Sequence, residues 1–186
     1  MEWGKPVSSI AVDAGDELVL VDPLLAPDQW TAFDALAAGR SAHVLLTTHW
    51  HARSAAELAS TRGARVWAFS GHRAAVARRA PVDRVFRLGD ELPAGLLALA
   101  ARPRSELVLW EPRNRALITG DAVLGDGERG EGLHTCPRSW LPASSTVAEL
   151  RSALTPALEL PVKMVLPSHG APVLRGARPA LAAALG

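Results

Sequence analysis

Three short apolar runs in this chain each end on a residue that can bind a metal or carry a proton: AHVLLTTH at 42–49, RALITGD at 115–121 and VKMVLPSH at 162–169. Runs of that length, bounded by turn residues, read as buried strands. Polar groups at the ends of such strands gather along one edge of a sheet, which is where α/β proteins place their sites. His49 with His51, Asp121 and His169 are therefore the first candidates for chemistry.

The segments between them supply the rest of an α/β pattern. VSSIAVD and ELVLVD flank the turn signal AGD and predict a hairpin. APDQWTAFDALAAG places Asp28 at a helix start and Gly39 past its end, with Trp30, Phe33 and Leu36 at helical spacing. A helix of good formers is expected over Arg53–Thr61, ending near Gly63. RVWAFS reads as a strand and GHRAAVARRA as a helix stopped by Pro81. From Val82 to Thr119, strands are expected between the turns LGD, RPRS and EPRNR. Gly125–Ser145 lacks periodicity and reads as a flap, since a long loop in a small domain is usually functional or mobile. Thr146 with Glu149 matches a capping box that starts a helix to about Leu158, and an alanine-rich helix ends the chain. No repeat or linker divides residues 1–186, so a single domain is expected.

Composition excludes several classes. With 186 residues and 48% hydrophobic content the chain can bury a core without staples. Its 20 basic residues are scattered, tyrosine is absent and the net charge is +1, which argues against nucleic acid as a partner. The longest apolar runs, such as AGLLALAA at 94–101, fall far short of a membrane span. Cys136 is the only cysteine, which fits a reducing, cytoplasmic setting. Trp3 and Trp140 in irregular segments leave a homodimer open.

Each motif also has a plain structural reading. An His-x-His pair serves as readily on a surface, and TGD and PSHG can be simple turns. Arg53 can face the pocket or pair with Glu57 one turn later on a solvated helix face. Ser54 reads as the N-cap of its helix rather than a nucleophile, because no general base is identifiable for it. His134 and Cys136 read as flap residues rather than a replacement ligand pair. His43 and His72 are expected at the surface. Trp50 is expected as packed core or pocket wall, and Trp30, Trp67 and Trp110 as core.

Taken in order, LVLVDPLL, VLLTTHWH, ALITGDAVL and MVLPSHG resemble the landmarks of the metallo-β-lactamase fold superfamily over nearly the whole chain. The resemblance implies an αββα sandwich of two mixed β-sheets flanked by helices, with a metal site along their shared edge. It places His49, His51 and Asp121 at the first metal, and Asp121 and His169 at the second. The signature T-H-x-H-x-D-H departs here: Arg53 and Ser54 stand for its aspartate and last histidine. Ala101 or Arg102, in AARPRSELVLW, stands where the third histidine would be.

These departures weaken the metal reading without removing it. If a complete zinc site is worth about 10 to 16 kcal/mol, one ligand in four is worth roughly 3, about a hundredfold in affinity. A guanidinium about 5 Å from a dication would be repelled by several kcal/mol at an effective dielectric near 20, so at most one metal is expected. The same guanidinium could instead pair with Asp121, its planar fork matching a carboxylate. The leading function is a hydrolase-like protein with one zinc, or less readily iron. Its metal-activated water would attack an ester, thioester, amide or phosphoester, with Asp121 orienting the water, His169 as a further ligand and Arg53 binding a negative group of the substrate. The alternative is a metal-free, catalytically inactive member that binds an anion or a partner, because fold does not guarantee function.

Overall fold

The computed structural model describes residues 7–102, 106–126 and 132–186. Within these, the chain divides into two compact units, one of Ser9–Leu96 and the other built mainly of Leu97–Gly186.

In the first unit, β1 (Ile10–Asp13) and β2 (Glu17–Val21) form the expected antiparallel hairpin, with Ile10 opposite Val21 and Asp13 opposite Leu18. Its turn needs a left-handed residue, and Gly15 supplies it at φ 80°. α1 (Gln29–Ala37) follows, then β3 (Ser41–Leu45), α2 (Ala55–Arg62) and β4 (Arg65–Phe69). α2 stops where expected: Gly63 is left-handed and donates its N–H to the Ala59 carbonyl. The helix expected over 71–80 shrinks to a 3-10 turn at Ser70–His72 and the single turn α3 (Arg73–Val76) before β5 (Arg84–Phe86). Gly71 and Pro81 bracket a run too short for its good formers to propagate a helix without tertiary support.

These strands make one sheet in the order β1-β2-β3-β4-β5, parallel from β2 onward. Leu18, Leu20, Val44, Val66 and Ala68 alternate onto one face, where they pack with Phe33 of α1, Leu58 of α2 and Val76 of α3. His43 sits inside β3, not before it, and is only 4% exposed, a correction to the surface position expected. Burial is tolerated because Nδ1 accepts the Trp67 indole N–H at 3.1 Å and Nε2 lies 3.6 Å from Glu17.

The second unit opens with β6 (Leu97–Arg102), β7 (Glu106–Glu111) and β8 (Ala116–Gly120), paired antiparallel in sequence. Next come the hairpin β9 (Val123–Asp126) and β10 (Gly132–Thr135), then α4 (Val147–Leu154), β11 (Met164–Pro167) and α5 (Ala177–Leu185). β11 joins β8 in parallel, giving the order β11-β8-β7-β6. Val108, Trp110, Leu117 and Val165 from the sheet pack with Leu150 and Leu154 of α4 and Leu181 of α5. The capping box at α4 is complete: Thr146 Oγ1 accepts the Glu149 N–H at 3.2 Å, and the Glu149 carboxylate accepts the Thr146 N–H at 2.7 Å.

The described part of 125–145 is not a featureless flap. It holds the end of β9, β10 and a 3-10 turn at Arg138–Trp140, anchored by buried Leu133, Cys136 and Leu141. Residues 127–131 of that segment, most of the RPRS turn and Trp3 lie outside the described residues. Among the described residues, no helix is long and apolar enough to cross a membrane.

Candidate functional site

In the first unit the site begins where β2 ends. Asp22 adopts φ 52°, a left-handed conformation that short polar side chains tolerate, and is 1% exposed. Its Oδ1 accepts the Thr47 N–H at 2.9 Å, and its Oδ2 accepts the Thr47 hydroxyl at 2.5 Å. The same Oδ2 lies 2.9 Å from Nδ1 of His51. A carboxylate this deeply buried is viable only with such donors around it. It fixes the His51 ring and turns Nε2 to the opposite side, the arrangement that orients metal-ligating imidazoles.

His49 and His51 share a 3-10 turn, His49–His51. With three residues per turn, side chains two apart point about 120° away from each other. The His49 ring accordingly lies among its own neighbours, 4.6 Å from the Trp50 ring and 5.7 Å from that of His72. Burial, and then the cations Arg79 and Arg78, push its pKa down, so the ring is neutral at neutral pH. His72 is buried, not at the surface as expected, and packs edge-on to Phe69. Trp50 is 65% exposed rather than core, with the Arg79 guanidinium 4.6 Å from its ring centroid.

Arg53 does not form the helix-surface pair with Glu57. It is half-buried, its Nη1 is shut off from solvent, and among the described residues no hydrogen-bond partner meets that nitrogen. Ser54 stands at the start of α2 but makes no capping bond. Its Oγ instead accepts the Leu25 N–H at 3.0 Å, while its own N–H goes to the Pro23 carbonyl at 3.1 Å.

In the second unit Asp121 and His169 come together. β8 ends at Gly120, with φ 53°, and turns into Asp121, whose N–H donates to the buried carboxylate of Glu106 at the start of β7. The Asp121 Oδ1 lies 3.2 Å from His169 Nε2, and both side chains keep partial exposure, 17% and 12%. Trp140 packs edge-on to the His169 ring at 5.8 Å. The turn carrying His169 is locked onto β9 by the Gly125 N–H, which donates to the His169 carbonyl at 2.9 Å. Backbones cross so closely there that a Cβ on Gly125 would sit 2.1 Å from the Ala171 oxygen.

His134 and Cys136 do not act as a pair. The thiol lies in the apolar core, whereas His134 Nε2 is 3.4 Å from the exposed Asp126. Ala101, one of the two residues where the third histidine would be, packs into that core as well. Sequence reasoning assigned no site role to Glu106 or Trp140, and it noted Asp22 only as the aspartate that ends the early strand in LVLVDPLL. Asp22 alone carried a signal, a polar residue closing an apolar strand as His49 and Asp121 do.

The chain matches the family model described as the metallo-beta-lactamase superfamily over residues 3–169. No curated protein matches it. Among solved structures it is similar to the metallo-β-lactamase FIM-1 from Pseudomonas aeruginosa in its mono-zinc form, with 15% identity and a TM-score of 0.68 over 97% of this chain and 84% of that one. It is also similar to a metallo-β-lactamase from Hirschia baltica, at 18% identity and TM-score 0.66 over 96% and 85% of the two chains. TTHA1623 in a di-iron-bound form gives 19% identity and TM-score 0.66 over 92% and 91%. At such identities the likeness is one of fold, and it bears out the α/β class of mixed sheets and helices expected from the sequence.

Proposed function

Since the chain belongs to the metallo-β-lactamase superfamily, we propose that it is a hydrolase-like member of that fold that holds one metal ion, with Asp121 and His169, 3.2 Å apart, among its ligands and His51, whose Nδ1 is held by Asp22, as the further imidazole that the family's pattern implies. Two imidazoles and one carboxylate are a donor set that suits zinc with an open position, and also iron(II). Relatives of the same fold are described in mono-zinc and di-iron-bound forms.

The observation that carries this reading is the buried Asp22 behind His51 Nδ1, an outer-shell carboxylate of the kind that sets tautomer and raises ligand basicity. When bound, the ion would supply a coordinated water with a pKa near 7 (about nine units below bulk water) and a Lewis acid for a carbonyl or phosphoryl oxygen. The chain's own residues prepare the ligands. Asp22 holds the His51 ring, Glu106 fixes the turn that presents the Asp121 carboxylate, and Trp140 limits rotation of His169. The substrates that suit this chemistry are esters, thioesters, amides or phosphoesters. The lone thiol, Cys136, buried in a core, suits a reducing cytoplasmic setting.

Plasma mass spectrometry of protein purified without a histidine tag, beside Asp121→Ala, tests the reading. It predicts close to one zinc or iron per chain, lost in the variant. Substoichiometric metal at the same level in both proteins would overturn it in favour of a metal-free binding module.

A further inference from the structure

We propose that Arg53 is an anion-binding residue that takes the carboxylate or phosphate group of a small molecule, and that it does so with or without a metal nearby. A buried charged donor with no acceptor is expensive, because it has lost water and gained nothing. The Nη1 of Arg53 is in that position. Acceptors on the helix that follows it and on the segment it is tied to are not used for it. Glu57, one helical turn on, points to solvent, and the Asp22 carboxylate is already taken up by Thr47 and His51. Arg62 of the same unit does have a carboxylate: it grips Asp34 through two nitrogens at 2.7 and 3.0 Å. An oxyanion brought by a ligand would supply the acceptor that the described residues withhold, and the planar fork of a guanidinium fits one through paired hydrogen bonds.

The backbone around Arg53 is prepared for such a role. The Ser54 N–H is bonded to the Pro23 carbonyl and the Leu25 N–H to Ser54 Oγ, which pins the 51–54 turn to the loop after β2. A side chain rooted in a turn held by two such bonds loses little freedom on binding. Two exposed apolar side chains belong to these same segments, Leu24 at 45% and Trp50 at 65% exposure.

Calorimetric titration with inorganic phosphate and with acetate, in a buffer otherwise free of oxyanions, tests this on the wild-type protein, Arg53→Met, Arg53→Lys and Asp121→Ala. At least one anion should bind the wild type, and the stronger of the two identifies the group. Arg53→Met should weaken that binding on the order of ten- to a hundredfold, Arg53→Lys should weaken it less, and Asp121→Ala should retain it. In anion-free buffer Arg53→Met should unfold no earlier than the wild type, since it removes a buried charge without a partner. Absence of anion binding in the wild type would overturn the proposal. So would binding that survives Arg53→Met and disappears in Asp121→Ala, an outcome that would assign the anion to a metal and leave the metal reading intact.

Discussion

Asp22 shows how much a single side chain can decide. Its left-handed backbone turns the carboxylate inward, where Thr47 and His51 surround it. Asp22→Ala would leave the Thr47 N–H and hydroxyl buried without an acceptor, at about 1 to 3 kcal/mol for each group so stranded. It would also release the His51 ring, which should weaken metal binding by about ten- to a hundredfold. Urea unfolding and a metal competition assay on the same variant would read the two effects separately. His43 makes a second prediction, in pH. Burial holds its folded pKa below the unfolded value near 6.5, with Arg65 adding to burial and Glu17 opposing it. Below 6.5 the unfolded chain takes up a proton that the folded chain refuses, so stability is full above 6.5 and falls as pH drops toward the folded pKa. Protonating Nδ1 would also break the bond from Trp67. Urea midpoints at pH 7.5 and 5.5 should therefore differ, and His43→Gln should reduce the difference. The sequence showed Asp22 as a strand-ending aspartate, but its role depends on a backbone angle that no residue pattern encodes. His43 was misplaced because AHVLL reads as well with the strand starting after the histidine as around it.

At the scale of elements, local signals were legible and tertiary ones were not. The capping box before α4 and the glycine ending α2 were readable because their partners lie within a few residues. β9 and β10 were missed because each is four residues long and broken by glycine, so their pairing is set by what they pack against. That packing explains the glycines. Gly125 meets the Ala171 backbone, and a Cβ on Gly170 would lie 2.2 Å from the Gly125 oxygen, at a φ of 80°. Gly125→Ala should cost about 1 to 3 kcal/mol by overpacking, and it should displace the turn that carries His169. The expected result is a lower urea midpoint together with weaker metal binding. Unchanged metal affinity at lowered stability would detach His169 from the ligand set.

For the whole molecule, the order of four strand-end landmarks was enough to indicate the family, and the match over residues 3–169 agrees. Identities of only 15 to 19% with structures at TM-scores of 0.66 to 0.68 show why. The fold is preserved by where apolar runs begin and end, which a sequence displays directly. Ligand chemistry is not preserved in that way. Replacing the signature aspartate and histidine by Arg53 and Ser54 leaves the α/β pattern readable while changing what the site can hold. Because the proposed ligands are residues 51, 121 and 169, far apart in the chain, a bound ion should stabilise the folded state by mass action. Calorimetric zinc titration of chelator-treated protein, beside Asp121→Ala and His169→Ala, measures this claim most directly. One saturable site per chain, lost or strongly weakened in both variants, is the predicted result, whereas no saturable site, or one indifferent to both substitutions, would contradict it.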